Sequence, residues 1–246
     1  PIDGVNGMFT GDQVRETLWT PTRHRPPFRL VSVEQTTNMG GGRVWPLKQL
    51  HEVCRAAHDT GVFTHMDGAR LLNAVVASGV PARDYAATFD SVWIDLSKGL
   101  GAPVGGVLAG SADFIDRAWQ WKHRLGGAMR QSGIIAAAGI YVLRHNVARL
   151  AEDHEKAKVL ARAIARSRAI DIDPDVVETN IVRFGIEKTG LHAGGFIDRL
   201  QAETGVRLSV HGKMVCRAVT HLDLSRADVE EAGQAISSLA DRLAKR

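Results

Sequence analysis

The sequence predicts an α/β chain, with a mainly parallel sheet in a large domain and a small α+β domain at its C-terminal end. Three observations predict it. Runs rich in β-formers at 28–34, 61–66 and 91–96 alternate with helical stretches, the pattern of a parallel sheet covered on both faces. Asp67 and Lys98 follow two successive runs, and ligands in open α/β sheets bind outside such carboxyl ends. Beyond Ala112 the character shifts to helix, and short strand signals return only after residue 179.

In chain order, 28–34 is the first strand and Asn38-Met39-Gly40-Gly41-Gly42 a flexible loop. A helix over 47–60 follows Pro46, a residue suited to helix starts. Next come a strand at 61–66, a helix at 69–78, a strand at 91–96 and a hairpin-like return at 104–109. The stretch 132–149 is rich in Ala, Ile and Leu with little charge before Arg144, so it reads as a long, mostly buried connecting helix. A charged helix at 152–167, a strand at 179–186, a helix at 191–204 and strands at 206–210 and 215–221 follow. Residues 225–245 form the last helix, with Ser225 as N-cap and Val229, Ala232, Ile236 and Leu239 at helical spacing. The division expected is a large domain over 1–149, including the connecting helix, and a small one over 150–246.

Composition narrows the function class. At 246 residues and 44% hydrophobic content, with no apolar run able to cross a bilayer, the chain is expected to be soluble, with no membrane role. Its net charge of +4 comes from basic residues dispersed among 27 acidic ones, which argues against nucleic-acid binding. Cys54 and Cys216 lie far apart, one in a helix and one in a strand, as reduced core thiols of a cytosolic protein do; no metal site is expected.

Lys98 sits in SVWIDLSKGLGAPVGGVLAG, residues 91–110, between an apolar strand and a glycine-rich turn. An amine acting as a covalent catalyst must shed its proton near neutrality, and Val92, Trp93, Ile94 and Leu96 offer an apolar setting for that. A solvated lysine in a turn fits the same local pattern. Asp67, in THMDGARLLNA at 64–74, is placed to face the same crevice, although Asp-Gly is also a common turn signal and Asp a common N-cap. His65, by strand alternation, is expected to point away from the neighbours of Asp67 and to be a packed histidine.

Together, HMDGARLLNA, LSKGLGAPVGGVLAG, LGGAMRQSG at 125–133 and RAVTHLDLS at 217–225 resemble the threonine aldolase branch of the β-eliminating lyase family, over nearly the whole chain. The resemblance implies the aminotransferase-like fold type I and pyridoxal 5'-phosphate as cofactor. The implied activity is aldehyde-lyase cleavage of β-hydroxy-α-amino acids, such as L-threonine or L-allo-threonine, to glycine and an aldehyde. Lys98 is then the lysine that holds the cofactor aldehyde, and Asp67 the carboxylate that keeps the ring nitrogen protonated. Arg70 would reach both the cofactor and the substrate carboxylate, and Arg217 would bind that carboxylate through its planar fork. Arg130 matches an arginine near the cofactor phosphate of an adjacent subunit, implying a homodimer or homotetramer with shared active sites.

Where many family members carry a lysine two residues before the LGG motif, this chain has His123, between Lys122 and Arg124. In the family, the phosphate loop and the ring-stacking histidine precede a segment like the one that opens this sequence, and neither is assigned to a residue here. The chain opens PIDGVNGMFTGDQVRETL without an initiator methionine, and it is expected to be an N-terminally truncated family member. Another pyridoxal phosphate enzyme of the same fold, a β-eliminating lyase or an aminotransferase, and an inactive fragment remain alternatives.

Overall fold

A computed structural model describes residues 1–19 and 22–244. The chain forms two compact units, one of Pro1–Thr37 with Val44–Arg149 and one of Asn38–Arg43 with Leu150–Arg246. Among the described residues, no helix is long and apolar enough to cross a membrane.

In the first unit, α1 (Gly11–Thr17) opens on a capping box: Gln13 N donates to Thr10 Oγ1 at 3.2 Å, and Thr10 N donates to Gln13 Oε1 at 2.9 Å. Strand β1 (Leu30–Glu34) precedes α2 (Leu47–His58), which follows Pro46 as expected and buries Leu50, Val53, Cys54 and Ala57 along one stripe. After β2 (Phe63–Gly68) come α3 (Leu71–Ser78), the short α4 (Ala82–Ala86) and β3 (Ser91–Asp95). Strand β4 (Gly106–Gly110) returns antiparallel to β3, then α5 (Ala112–Arg124) and α6 (Gly133–His145) complete the unit.

The sheet order is β1-β2-β3-β4, with the first two pairings parallel. One face carries Val31, Val33, Met66 and Val92 into a core shared with Trp45, Leu50, Val53 and Tyr85. The other face differs from the doubly covered sheet expected, because Leu30, Phe63 and Leu108 on it are exposed.

A second difference concerns α6, expected to be mostly buried. Only Gly139 and Val142 are buried, whereas Ile134, Ile140, Tyr141 and Leu143 face solvent. Apolar composition around a helix states that it needs cover without saying which element supplies it.

The second unit holds α7 (Leu150–Ile164), β5 (Ile181–Gly185), α8 (Ala193–Thr204), β6 (Ser209–Gly212), β7 (Val215–Val219) and α9 (Arg226–Ala244). Its antiparallel sheet runs β5-β7-β6. Val182, Phe184, Cys216 and Ala218 point to the core, where they join Leu160 and Ile164 of α7, Phe196 and Leu200 of α8, and Ile236 and Leu239 of α9. Ser225 caps α9 as expected, accepting from Asp228 N at 3.1 Å. Lys245, placed in that helix by the sequence, lies outside the described residues.

Candidate active site

Strand periodicity sorts the side chains of the first sheet into a face turned into the core and a face turned away from it. Glu34, Asp67 and Trp93 are cross-strand partners in consecutive parallel strands, so their side chains share the face turned away from the core. His65 and Ser91 lie one pleat back, with His65 Nδ1 and Ser91 Oγ 2.8 Å apart. This corrects the expectation for His65: residues two apart on a strand share a face, and His65 lies on the same one as Asp67. Burial holds its imidazole below the ordinary histidine value, against the opposing pull of the Asp67 charge.

Asp67 Oδ1 accepts from Ala69 N at 3.0 Å, a local turn bond. Helix α3 begins at Leu71 with Arg70 at its N-cap position, so Asp67 is not the helix cap. The turn between them is pinned from β1: Gln35 N donates to Asp67 O at 2.8 Å, and Arg70 N donates to Gln35 O at 3.0 Å. Gly68 allows β2 and β3 to approach here, because a Cβ at that position would lie 2.2 Å from the Trp93 carbonyl oxygen. Beside this turn, Thr36 and Thr37 are buried, and their hydroxyl oxygens have no hydrogen-bond partner among the described residues.

Lys98 lies in the loop joining β3 to β4. Leu96 N donates to Gly105 O at 3.0 Å, Ala102 N to Leu96 O at 2.9 Å and Gly101 N to Lys98 O at 2.9 Å, with Gly101 at φ 79° closing the turn. The far end of α6 braces the loop, as Asn146 Nδ2 donates to Leu100 O at 2.7 Å. Asp95, which the sequence reasoning missed, organises the lysine itself. Its carboxylate accepts from Lys98 Nζ at 2.6 Å, Ser97 Oγ at 2.6 Å and Ser97 N at 2.7 Å. Partial burial works against the charged carboxylate, but these bonds outweigh it and hold Asp95 below the usual carboxylate range. An aspartate followed by serine and lysine two and three residues on is the signal that could have found it.

The Lys98 ammonium stands 5.2 Å from the centre of the Trp93 ring. Trp93 is the cross-strand partner of Asp67 and carries the Lys98 ammonium over its ring, so Asp67 and the residue that Lys98 stacks on share one face of the sheet. Arg130 is exposed in the turn between α5 and α6, and Lys122, His123 and Arg124 are exposed at the end of α5.

Arg217 belongs to the second unit, on β7. Its Nε donates to Ser209 Oγ at 3.2 Å and its Nη1 donates to Asn38 Oδ1. Asn38 lies in the loop read from sequence as merely flexible, whose neighbour Met39 offers its carbonyl to His211 Nε2 at 3.2 Å. Neither thiol is poised for chemistry. Burial raises Cys54 and pushes Cys216 to about 12.

Pyridoxal phosphate asks for an amine at its aldehyde, an anion at its ring nitrogen and hydrogen-bonding groups at its edge. Lys98, Asp67 and the unsatisfied hydroxyls of Thr36 and Thr37 are of these kinds, at the carboxyl ends of β1, β2 and β3. They fit the ring end of that group.

The fold defines the class first: an aminotransferase-like α/β protein. A threonine aldolase structure from Leishmania major has a TM-score of 0.76 at 15% identity, with 96% of this chain and 69% of that one covered. An aspartate aminotransferase structure from Rhodobacter sphaeroides has a TM-score of 0.70 at 14% identity, over 94% of this chain and 60% of that one. Within that class the chain belongs to the beta-eliminating lyase family, whose sequence profile it matches over residues 1–187. It is similar to the low specificity L-threonine aldolase of Escherichia coli K12, with 38% identity over 232 residues. That match takes in 94% of this chain and 66% of the relative, so the chain spans just under two thirds of its relative's length.

Proposed function

We propose that this chain is part of a pyridoxal phosphate-dependent aldehyde-lyase of the threonine aldolase kind, cleaving β-hydroxy-α-amino acids such as L-threonine or L-allo-threonine to glycine and an aldehyde. The observation that carries the reading is the placement of Asp67 at the end of β2, opposite Trp93 of β3, with Lys98 in the loop after β3 and its amine over that indole, in a chain from the beta-eliminating lyase family. When bound, the cofactor supplies an electron sink for the bond being broken.

In this reading, Lys98 holds the cofactor aldehyde covalently, and Asp95 fixes the direction from which its amine approaches. Asp67 keeps a proton on the ring nitrogen. Arg70 and Arg217 bind the substrate carboxylate, which sets the Cα–Cβ bond for cleavage. Arg130 contacts the cofactor phosphate of an adjacent subunit, in a homodimer or homotetramer. The exposure of Trp119, Trp121 and Leu125 near the end of α5 and of Ile134 and Tyr141 on α6 supports such an assembly, which would cover these large apolar side chains. The free thiols Cys54 and Cys216 support a reducing, cytoplasmic setting.

The test is product analysis after incubation with pyridoxal phosphate. Glycine and acetaldehyde from L-threonine or L-allo-threonine, lost in Lys98→Ala together with the visible band of the lysine-bound cofactor, are the expected result. Pyruvate and ammonia in their place, or amino-group transfer, would move the protein to another reaction of the same fold. Absence of the band in the unaltered protein would sink the reading.

A further inference from the structure

The second sheet carries an arrangement that the roles above leave unexplained. Arg183 on β5 and Arg217 on β7 are direct cross-strand partners, and Ser209 on β6 continues the same row. Both guanidinium stems therefore rise from one face, opposite the face that Phe184, Cys216 and Ala218 send into the core. Like charges directly opposite each other on paired strands are unfavourable. Among the described residues neither arginine forms an ion pair with a carboxylate, whereas Arg43 in the same unit has Glu178 at 3.0 Å.

The surroundings hold Arg217 and leave Arg183 open to solvent. Ser209 and Asn38 fix the half-buried Arg217 at two nitrogens. Gly41 packs its backbone toward Arg183, where a Cβ would come within 3.5 Å of that of the arginine. His211 feels both cations: burial lowers its imidazole first, the Met39 carbonyl opposes, and Arg183 and Arg217 each lower it further. A guanidinium held at two nitrogens, Arg217, beside an exposed one on the paired strand, Arg183, with no carboxylate partner for either among the described residues, forms a seat for an anion of two charges.

We propose that Arg183 and Arg217 together bind the two carboxylates of a dianionic substrate, so that the site favours β-hydroxy-α-amino acids with a second carboxylate on the β-carbon. The inference rests on the reading of Arg217 as the α-carboxylate arginine and narrows the substrate class. The simplest such compound is 3-hydroxyaspartate. Neighbouring strands stand about 4.8 Å apart, a spacing that the carboxylates of a four-carbon diacid can bridge. In its cleavage the hydroxyl proton leaves for a base, the O–H electron pair forms the new C=O bond, and the Cα–Cβ pair passes to Cα, which takes up a proton. The products are glycine and glyoxylate, with no oxidant or reductant required.

The experiment has two arms. With pyridoxal phosphate present, the ratio of kcat/KM for 3-hydroxyaspartate to that for threonine is measured in the unaltered protein, in Arg183→Leu and in Arg207→Leu, an exposed arginine outside the row. Loss of a charge-assisted contact should lower the ratio roughly ten- to a hundred-fold in Arg183→Leu and leave it unmoved in Arg207→Leu. In the second arm, calorimetry compares succinate with acetate as probes on the same three proteins, without reaction. Tighter binding of succinate, lost in Arg183→Leu alone, supports the seat whether or not cleavage occurs, so failure of the aldolase reading is told apart from failure of this one. Equal ratios in the unaltered protein and Arg183→Leu, an equal fall in Arg207→Leu, or no preference for succinate would overturn it.

Discussion

Gly68→Ala tests the claim that the approach of β2 to β3 builds the site. A Cβ at residue 68 would meet the Trp93 carbonyl oxygen at 2.2 Å and Leu71 Cβ at 3.3 Å, and real Cβ atoms essentially never come within 3.0 Å of a neighbour. The obstructing atom belongs to the β3 backbone, so no rotamer change relieves it. The strands must part by about 1 Å to restore ordinary contact distances. Overpacking of this kind plus a weakened ladder bond costs about 2–4 kcal/mol, or a fall of roughly 5–15 °C in melting temperature for a chain of this size. The same displacement moves Asp67 relative to Trp93 and Lys98, and misplacement on that scale lowers turnover about a hundred-fold. Gly133→Ala is the control, because nothing lies within 4 Å of its added Cβ at the start of α6; it should be neutral or slightly stabilising. Thermal unfolding by circular dichroism, with cofactor uptake measured on the same samples, reads both. A Gly68→Ala protein that melts within about 2 °C of its parent, a shift below that of 1 kcal/mol, would refute the packing argument.

Two further outcomes follow from buried and paired charges. His154 on α7 is only 4% exposed, and burial lowers its imidazole to about 4, against the pull of Asp153. Its folded value lies below the ordinary 6.5, so the unfolded chain takes up the proton first as pH falls. Stability is then full above pH 6.5, declines by up to about 3 kcal/mol on the way down to pH 4 and loses nothing more from this group below that. Urea midpoints across this window should slope less steeply in His154→Leu, and parallel slopes would exclude the assignment. Asp95→Asn keeps an acceptor for Ser97 but removes the charge paired with Lys98. The lysine side chain is 37% exposed, so the stability change should stay below about 1 kcal/mol. Borohydride trapping followed by intact mass should show covalent cofactor uptake falling several-fold, and unchanged uptake would mean that the pair positions nothing.

Much of the fold was legible because it rests on local periodicity. The strands at 30–34, 63–68 and 91–95 fall near the runs read from sequence, and the hairpin-like return became β4 at 106–110. What stayed hidden depends on partners distant in sequence. The apolar content of α6 was read correctly, but its exposure depends on which element covers Ile134 and Tyr141. The site shows the same division. Lys98 and Asp67 were visible as residues at strand ends, whereas Arg183 drew no notice because its pairing with Arg217 spans two strands separated by α8 and β6. Asn38 was hidden for a related reason, since its tie to Arg217 crosses most of the chain. His65 shares the face of Asp67, contrary to expectation, because two steps along a strand return to the same side.

That parity links folding to chemistry in the first unit. The positions that send Val31, Val33, Met66 and Val92 into the core leave Glu34, Asp67 and Trp93 on the opposite face, in register across three parallel strands. A slip of one residue in β2 would drive Asp67 into that apolar core and bring Met66 out beside Trp93. Burying an uncompensated carboxylate there costs several kcal/mol, and the core would lose a fully buried methionine at the same time. The apolar alternation therefore forbids the register in which Asp67 and Lys98 would part. Selection for a stable sheet and selection for a carboxylate on the face that carries Trp93 act on one pattern, so variants that exchange Met66 and Asp67 should lose both together.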